Sequence, residues 1–553
     1  MSTQILASRE PERLWSFGAV LVSVLVAAPV LAIGVLAIFP SENIWPHLIA
    51  TVLPGYITTT LMLMFGVGFL TFVIGTGTAW LVTTCRFPGR KFLKWALLIP
   101  LAMPTYIIAY AYVDLFEYSG IVQTALRTAF GWANARDYSF PEIRSLPGAI
   151  FIMSFVLYPY VYLTSRATFS RQSAGFLEVS RTLGRGPWST FYSIALPLAR
   201  PAIVVGISLA MMETLNDIGA VEFFGVNTLT VGIYVTWLGR NNLGGAAQIA
   251  TIMLVFVFLL IWFERAARRH QHYHDSSSKQ RSPRSVQLSG SRKWLVTLVC
   301  ALPIIFGFVI PAIVLLNASL IYYEDALDGK YLQYVSNSLL LASTAAVTAV
   351  LVGGFLAYAH RLSRSRLVQF AIRFSSIGYA VPGAVLGIGI LIPLARLDNF
   401  IDSLAREFLG FSTGLMMTGT IFALVFAYLV RFLAISYGAV EAGLTRVTPS
   451  LEMAARTLGR TATGTFIEIH LPLIRPAIGT AGLLVFVDVM KELPATLILR
   501  PFNFDTLATH VYTLASLELL EESALSALTI VVAGIIPVIL LSKTLRIQSH
   551  ERR

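Results

Sequence analysis

The sequence predicts an all-α polytopic membrane protein: twelve transmembrane helices in two pseudo-symmetric six-helix halves, each half carrying a helical elbow on the cytoplasmic side. Three observations predict it. Apolar residues make up 56% of the 553-residue chain and charged residues 13%, against about 25% charged in a soluble domain, and mean hydropathy is +0.72. The apolar residues gather into runs of about 20, the length needed to cross a bilayer. Finally, residues 181–203 (RTLGRGPWSTFYSIALPLARPAI) and 456–478 (RTLGRTATGTFIEIHLPLIRPAI) match at fifteen of twenty-three positions at a constant offset of 275, the mark of an internal duplication.

Taken in order, Arg9 and Arg13 precede an apolar run from Trp15 to Phe39. A secretory leader has an apolar core of about 7–15 residues, so this run is read as a first span. Further spans are expected near 56–84, 95–116, 147–165, 201–223 and 245–263. These complete a first half, residues 1–264, with its elbow at about 176–200. A polar linker rich in Arg, His and Ser follows at 265–293. The second half, 294–553, repeats the plan with spans near 294–317, 336–360, 374–395, 414–435, 474–499 and 523–542, and an elbow at about 451–475. Pro100, Pro104, Pro159, Pro382 and Pro393 are expected to kink spans, which is tolerated where neighbours or water satisfy the freed carbonyls.

Charge sets the orientation. With the N-terminus inside, inner segments hold 31 of the 41 Lys and Arg, outer segments hold 8, and Arg431 and Lys491 fall within spans. The positive-inside rule then places both termini, the linker and both elbows in the cytoplasm. The net charge of +12 therefore belongs to membrane-facing cytoplasmic loops and needs no nucleic acid. Acidic runs such as Glu324, Asp325, Asp328 and Glu518, Glu521, Glu522 mark the outer face.

Each elbow has readable mechanics. Helix-forming runs, LEVSRTL and LEMAARTL, lead into Gly184 and Gly459, which supply a left-handed cap. Pro187 stands where a new helix would start, and Pro197, like Pro472 in the second copy, is expected to stop it. The result is a knob suited to a partner's cleft.

The pattern E-A-A, three residues, G, then I-x-L-P resembles the coupling loop of membrane subunits of binding-protein-dependent ABC importers. Glu178, Val179, Ser180, Gly184, Ile194, Leu196 and Pro197 carry it in the first copy. The second departs: Met453 takes the glutamate position, with Glu452 one residue earlier, before Ala454, Ala455, Gly459 and Pro472. PLAMPTYIIAYAYVDLFEYSG, METLNDIGAVEFFGVNTLTVGIYVTW and DVMKELPATLILRPFNFDTLATHVY resemble the fused two-half permeases for iron(III). The resemblance implies that the elbows are cytoplasmic coupling helices in a bacterial inner membrane. It implies as partners two copies of a separate ABC ATPase, which uses the ATP, and a periplasmic or lipid-anchored iron-binding protein. ABC permeases for thiamine, a polyamine or a phosphonate are the alternatives, with an ion-coupled secondary transporter further off.

The residues point to transport rather than catalysis. No G-x-x-x-x-G-K-[S/T] run is present to wrap phosphates in backbone N–H groups, and no bound cofactor is expected. Cys85 and Cys300 fit no metal spacing and are read as packing residues. His270, His272 and His274 alternate in a polar linker and are read as solvated. Tyr106, Tyr110, Tyr112, Tyr158, Tyr160 and Tyr162 are read first as packing or interface residues, although phenolate oxygen also suits a hard cation.

The charges inside spans are the informative ones. Glu213 and Asp217, four apart, are expected on one face of the fifth span. Asp488 and Glu492 are their equivalents at the same offset in the eleventh. Four carboxylates at mid-membrane represent about 10 kcal/mol on the lenient insertion scale, so a pathway role is expected for all four. The pairs would form two rungs, about 6 Å apart along the axis, that pass iron(III) by transient coordination, since oxygen donors suit hard cations. The competing reading is pairing, with Lys491 neutralising Asp488.

Overall fold

A computed structural model describes residues 10–40, 44–171, 186–268, 286–327, 329–363, 365–445 and 447–550. Its long helices are α1 Glu10–Ile38, α2 Leu53–Thr84, α3 Thr105–Phe116, α4 Leu146–Arg171, α5 Leu196–Asn216 and α6 Leu243–Arg268. They continue with α7 Ser291–Ile321, α8 Tyr331–Leu362, α9 Gly383–Leu409, α10 Ile421–Leu444, α11 Leu471–Met490 and α12 Leu520–His550. Among the described residues ten helices are long and apolar enough to cross a membrane, or eleven if one bent pair counts as a span. The expected twelfth span falls in α12, whose side chains beyond 540 lie outside the described residues.

The expected third span, 95–116, is broken. Arg90–Ala102 and Thr105–Phe130 meet at 91°, because Pro104 forces the preceding Met103 into extended backbone (φ −98°, ψ 116°). The second half repeats the device: Val381 (ψ 124°) precedes Pro382, and α9 starts at Gly383. Pro159 and Pro393, by contrast, lie inside continuous helices. The linker is shorter than expected, since α6 runs to Arg268. Val286–Gln287 pairs in parallel with Cys85–Arg86. Residues 269–285, with His270, His272 and His274, lie outside the described residues.

The chain divides into two compact units that do not follow the sequence halves. One comprises Met1–Trp45, Ile233–Thr251 and Gly329–His510, the other Pro46–Gly232, Ile252–Asp328 and Val511–Arg553. In the second of these, α2, α4 and α5 form the centre. A Cβ on Gly75 would lie 2.7 Å from Val161 Cβ and 2.8 Å from the Tyr158 carbonyl oxygen, and one on Gly206 would lie 2.6 Å from Val161 Cα. Glycine is what lets these backbones touch, as in other membrane helix pairs. In the other unit Gly353 of α8 meets Ser436 and the Tyr437 amide of α10 in the same way.

The first helix of each half packs with the other half's residues. In one unit Trp15 of α1 stacks on Phe355 of α8 with ring centroids 5.0 Å apart, and Pro29 and Ile33 close against Gly389 of α9. In the other, Tyr112 of α3 donates to the Phe306 carbonyl of α7 at 2.7 Å, and α7 also packs along α12.

Candidate functional site

The second elbow is described throughout, apart from Arg446 just before it. A helix Pro449–Thr457 ends before Gly459, whose φ of +81° is the left-handed cap expected from the sequence. A second short helix, Ala462–Thr465, begins with the Thr461 hydroxyl accepting from the Gly464 amide at 3.1 Å. In the first copy Glu178 and Gly184 lie outside the described residues. The helix Pro187–Thr190 does start at Pro187.

Pro197 and Pro472 do not stop the elbow helices. Trp188–Asn216 and Ala462–Met490 each run on as one apolar helix, through a π-turn at Phe191–Ala195 and at Phe466–His470. The prolines then stand in the first turn of α5 and α11. The wider π-turn alters the hydrogen-bond ladder just where each proline lacks an N–H.

The elbows are fastened to their units by repeated aromatic contacts. Trp80 of α2 lies 5.2 Å from Phe191, and Tyr358 of α8 lies 4.6 Å from Phe466. The Tyr358 hydroxyl also donates to the Ala462 carbonyl at 2.6 Å. Glu452, one residue out of register with the family pattern, is nonetheless engaged: its Oε2 lies 3.3 Å from Nε of Arg361 at the end of α8. That guanidinium also donates to the carbonyls of Leu444 and Val447. One arginine thus ties three segments together, a use suited to its five-donor fork. The elbow's free side is apolar, with Leu451, Met453 and the 81%-exposed Leu458 turned outward.

The intramembrane carboxylates depart from the expected geometry. α5 ends at Asn216, and Asp217 follows in extended backbone (ψ 132°). α11 ends at Met490, leaving Lys491 and Glu492 beyond it. In each pair the second carboxylate therefore follows the last helical residue instead of lying within the helix. The reason is local: each break is followed by a short helix, Gly219–Phe223 or Pro494–Leu499, whose N-terminal amides need an acceptor. Asp217 Oδ1 accepts from the Ala220 amide at 2.7 Å, and its Oδ2 accepts from the Thr105 hydroxyl. Glu492 accepts from the amides of Ala495 (3.0 Å) and Thr496 (3.2 Å) and from the Thr496 hydroxyl (2.9 Å).

Both of these carboxylates are buried, but they are balanced differently. Glu492 has Arg431 of α10, also buried, with Nη1 3.8 Å from Oε1. The longer side chain reaches over Gly383, where a Cβ would stand 2.6 Å from Glu492 Oε1. Asp217 is one methylene shorter and meets Thr105, which like Gly383 directly follows the proline that opens its helix. Asp488 pairs with Lys491 at 3.0 Å, as the competing reading had it, and Glu213 is half-buried on α5. Asp217 and Glu213 belong to one unit, Asp488 and Glu492 to the other.

Sequence reasoning gave Arg431 no role, although AYLVRFLAIS carries it within the expected span 414–435. It missed Thr105 and Arg361 as partners. It also passed over the cap signals N-D-I-G and K-E-L-P, a carboxylate two residues before glycine or proline at a helix start.

The fold is that of a multi-pass helical membrane protein, and residues 72–272 match the model of the family described as binding-protein-dependent transport system inner membrane component. Among curated relatives, the Fe(3+)-transport system permease protein FbpB 2 of Haemophilus influenzae is 26% identical over 491 residues, covering 88% of this chain and 89% of that protein. The ferric transport system permease protein FbpB of Actinobacillus pleuropneumoniae is 22% identical, covering 89% of this chain and 71% of that protein. The molybdenum transport system permease protein ModB of Escherichia coli K12 is 29% identical over 200 residues, 34% of this chain and 84% of that protein.

Proposed function

We propose that this chain is a two-half permease of an ABC importer that moves iron(III) into the cell by alternating access. The observation that carries the reading is the duplicated elbow within a chain aligned over 88% of its length with a permease named for Fe(3+) transport. Twelve spans, with both termini cytoplasmic, present the two elbows to two copies of an ATPase. The outward Leu451, Met453 and Leu458 enter a cleft on that partner, and ATP-driven closure rocks the halves. A binding protein delivers the ion from outside.

The intramembrane carboxylates divide the work. Glu213 and Asp488, half-buried on their helices, face the passing cation and offset part of its desolvation. Asp217 and Glu492 hold open the helix breaks beside them. The test is uptake into proteoliposomes carrying the permease, the copurified ATPase and the binding protein, with radioactive iron(III), thiamine, a polyamine, a phosphonate and molybdate compared. Iron-selective, ATP-dependent uptake is expected. Failure of any ATPase to copurify rejects the importer reading, and transport of another substrate in preference to iron rejects the iron reading.

A further inference from the structure

A cavity of about 190 Å3 lies within the unit that contains α3 and α12, bounded by Tyr110, Arg144, Glu222, Phe223, Tyr512 and Glu518. None of the four carboxylates discussed above lines it. The Tyr512 hydroxyl donates to Glu222 Oε2 at 2.5 Å. Arg144 is spoken for: it pairs with Glu117 and, at 3.4 Å, with Glu518, and its guanidinium lies 4.8 Å from the Phe223 ring centroid. With Glu222 and Glu518 against one arginine, the wall carries net negative charge.

Tyr110 is the unexplained member. It is 4% exposed and packs its ring edge-on to Phe223, centroids 4.6 Å apart, yet its hydroxyl has no hydrogen-bond partner among the described residues. A buried phenol normally finds one. Tyr110 lines the cavity together with Glu222 and Tyr512. Among the described residues no group of three or more His, Cys, Asp and Glu converges on a metal position. Carboxylates alone therefore do not make a site, and phenols are needed to complete a donor set.

We propose that this cavity is a transit site for a trivalent, oxygen-seeking cation, ligated by the phenolate oxygens of Tyr110 and Tyr512 and the carboxylates of Glu222 and Glu518. The proposal rests on the iron(III) reading above. An all-oxygen, partly anionic donor set selects hard cations over soft ones. The volume leaves room for the ion with several of its waters, at about 30 Å3 each. Each phenol that coordinates gives up its proton to water.

The test is titration of the purified full-length permease with iron(III) nitrilotriacetate, following the visible phenolate-to-iron charge-transfer band, with gallium(III) nitrilotriacetate as a colourless competitor. The wild type should develop a band that gallium erases. Tyr110→Phe or Tyr512→Phe should at least halve it, the double variant should abolish it, and Glu222→Gln should weaken iron binding about tenfold. The phenylalanines keep the ring packing, and a melting curve for each variant confirms the fold. Radioactive iron uptake by the wild type with no band, or with a band that persists in the double variant, overturns the cavity and leaves the iron reading intact. Absence of iron uptake by the wild type with its partners supplied overturns the iron reading and this proposal with it.

Discussion

Arg361 Nε stands 3.3 Å from Glu452 Oε2, an ion pair that joins the end of α8 to the first helix of the second elbow. Both side chains are about four-fifths buried, so the pair is screened less than a surface bridge. Arg361→Ala would also free the Leu444 and Val447 carbonyls. Expected is an assembled complex in which stimulation of ATP hydrolysis by the loaded binding protein falls roughly tenfold, a coupling loss of about 1.4 kcal/mol. Unchanged stimulation in proteoliposomes would remove Arg361 from the coupling route.

Gly459 adopts φ +81°, a region that costs a side-chain-bearing residue about 1–2 kcal/mol. Gly459→Val should reorient the elbow without unfolding the spans. The complex should still form, and transport should drop several-fold at normal permease abundance. Wild-type uptake by this variant would separate the elbow's angle from its function.

Glu492 and Arg431 answer one another inside the protein. Removing one charge of a buried pair leaves the other uncompensated, at a cost of about 3–5 kcal/mol. Glu492→Ala should therefore lower the melting temperature in detergent far more than Asp217→Asn, which leaves no buried cation and keeps the Thr105 contact. The double variant Arg431→Met/Glu492→Met should recover much of the lost stability. Equal melting of all three variants would contradict the arrangement.

Gly75 and Gly353 mark the close helix crossings of the two units. Gly75→Ala places a methyl against the Tyr158 carbonyl, a backbone atom that cannot step aside. Overpacking of this kind costs about 1–3 kcal/mol. Gly77 on the same helix faces open space and should accept alanine without effect. Matching thermal melts of Gly75→Ala and Gly77→Ala would show that the crossing is looser than described.

By itself the sequence determined the class of the protein, most of its spans and the place of its elbows. Long apolar runs, a duplicated motif and a glycine that needs a left-handed backbone are properties of the chain alone: bilayer thickness and backbone sterics read them without knowing the fold. The tertiary structure decided what each charge does. Four-residue spacing put Glu213 with Asp217 and Asp488 with Glu492 within one helix only while the helix was assumed to continue. The break at Asn216 and at Met490 is set by which amides the carboxylates cap. Arg361 finds Glu452 across 91 residues, and α1 packs against α8 and α9 rather than within its own half. Such partners come from chain topology, because a membrane offers equally apolar surroundings to every helix and leaves close packing, hydrogen bonds and paired charges to choose among them.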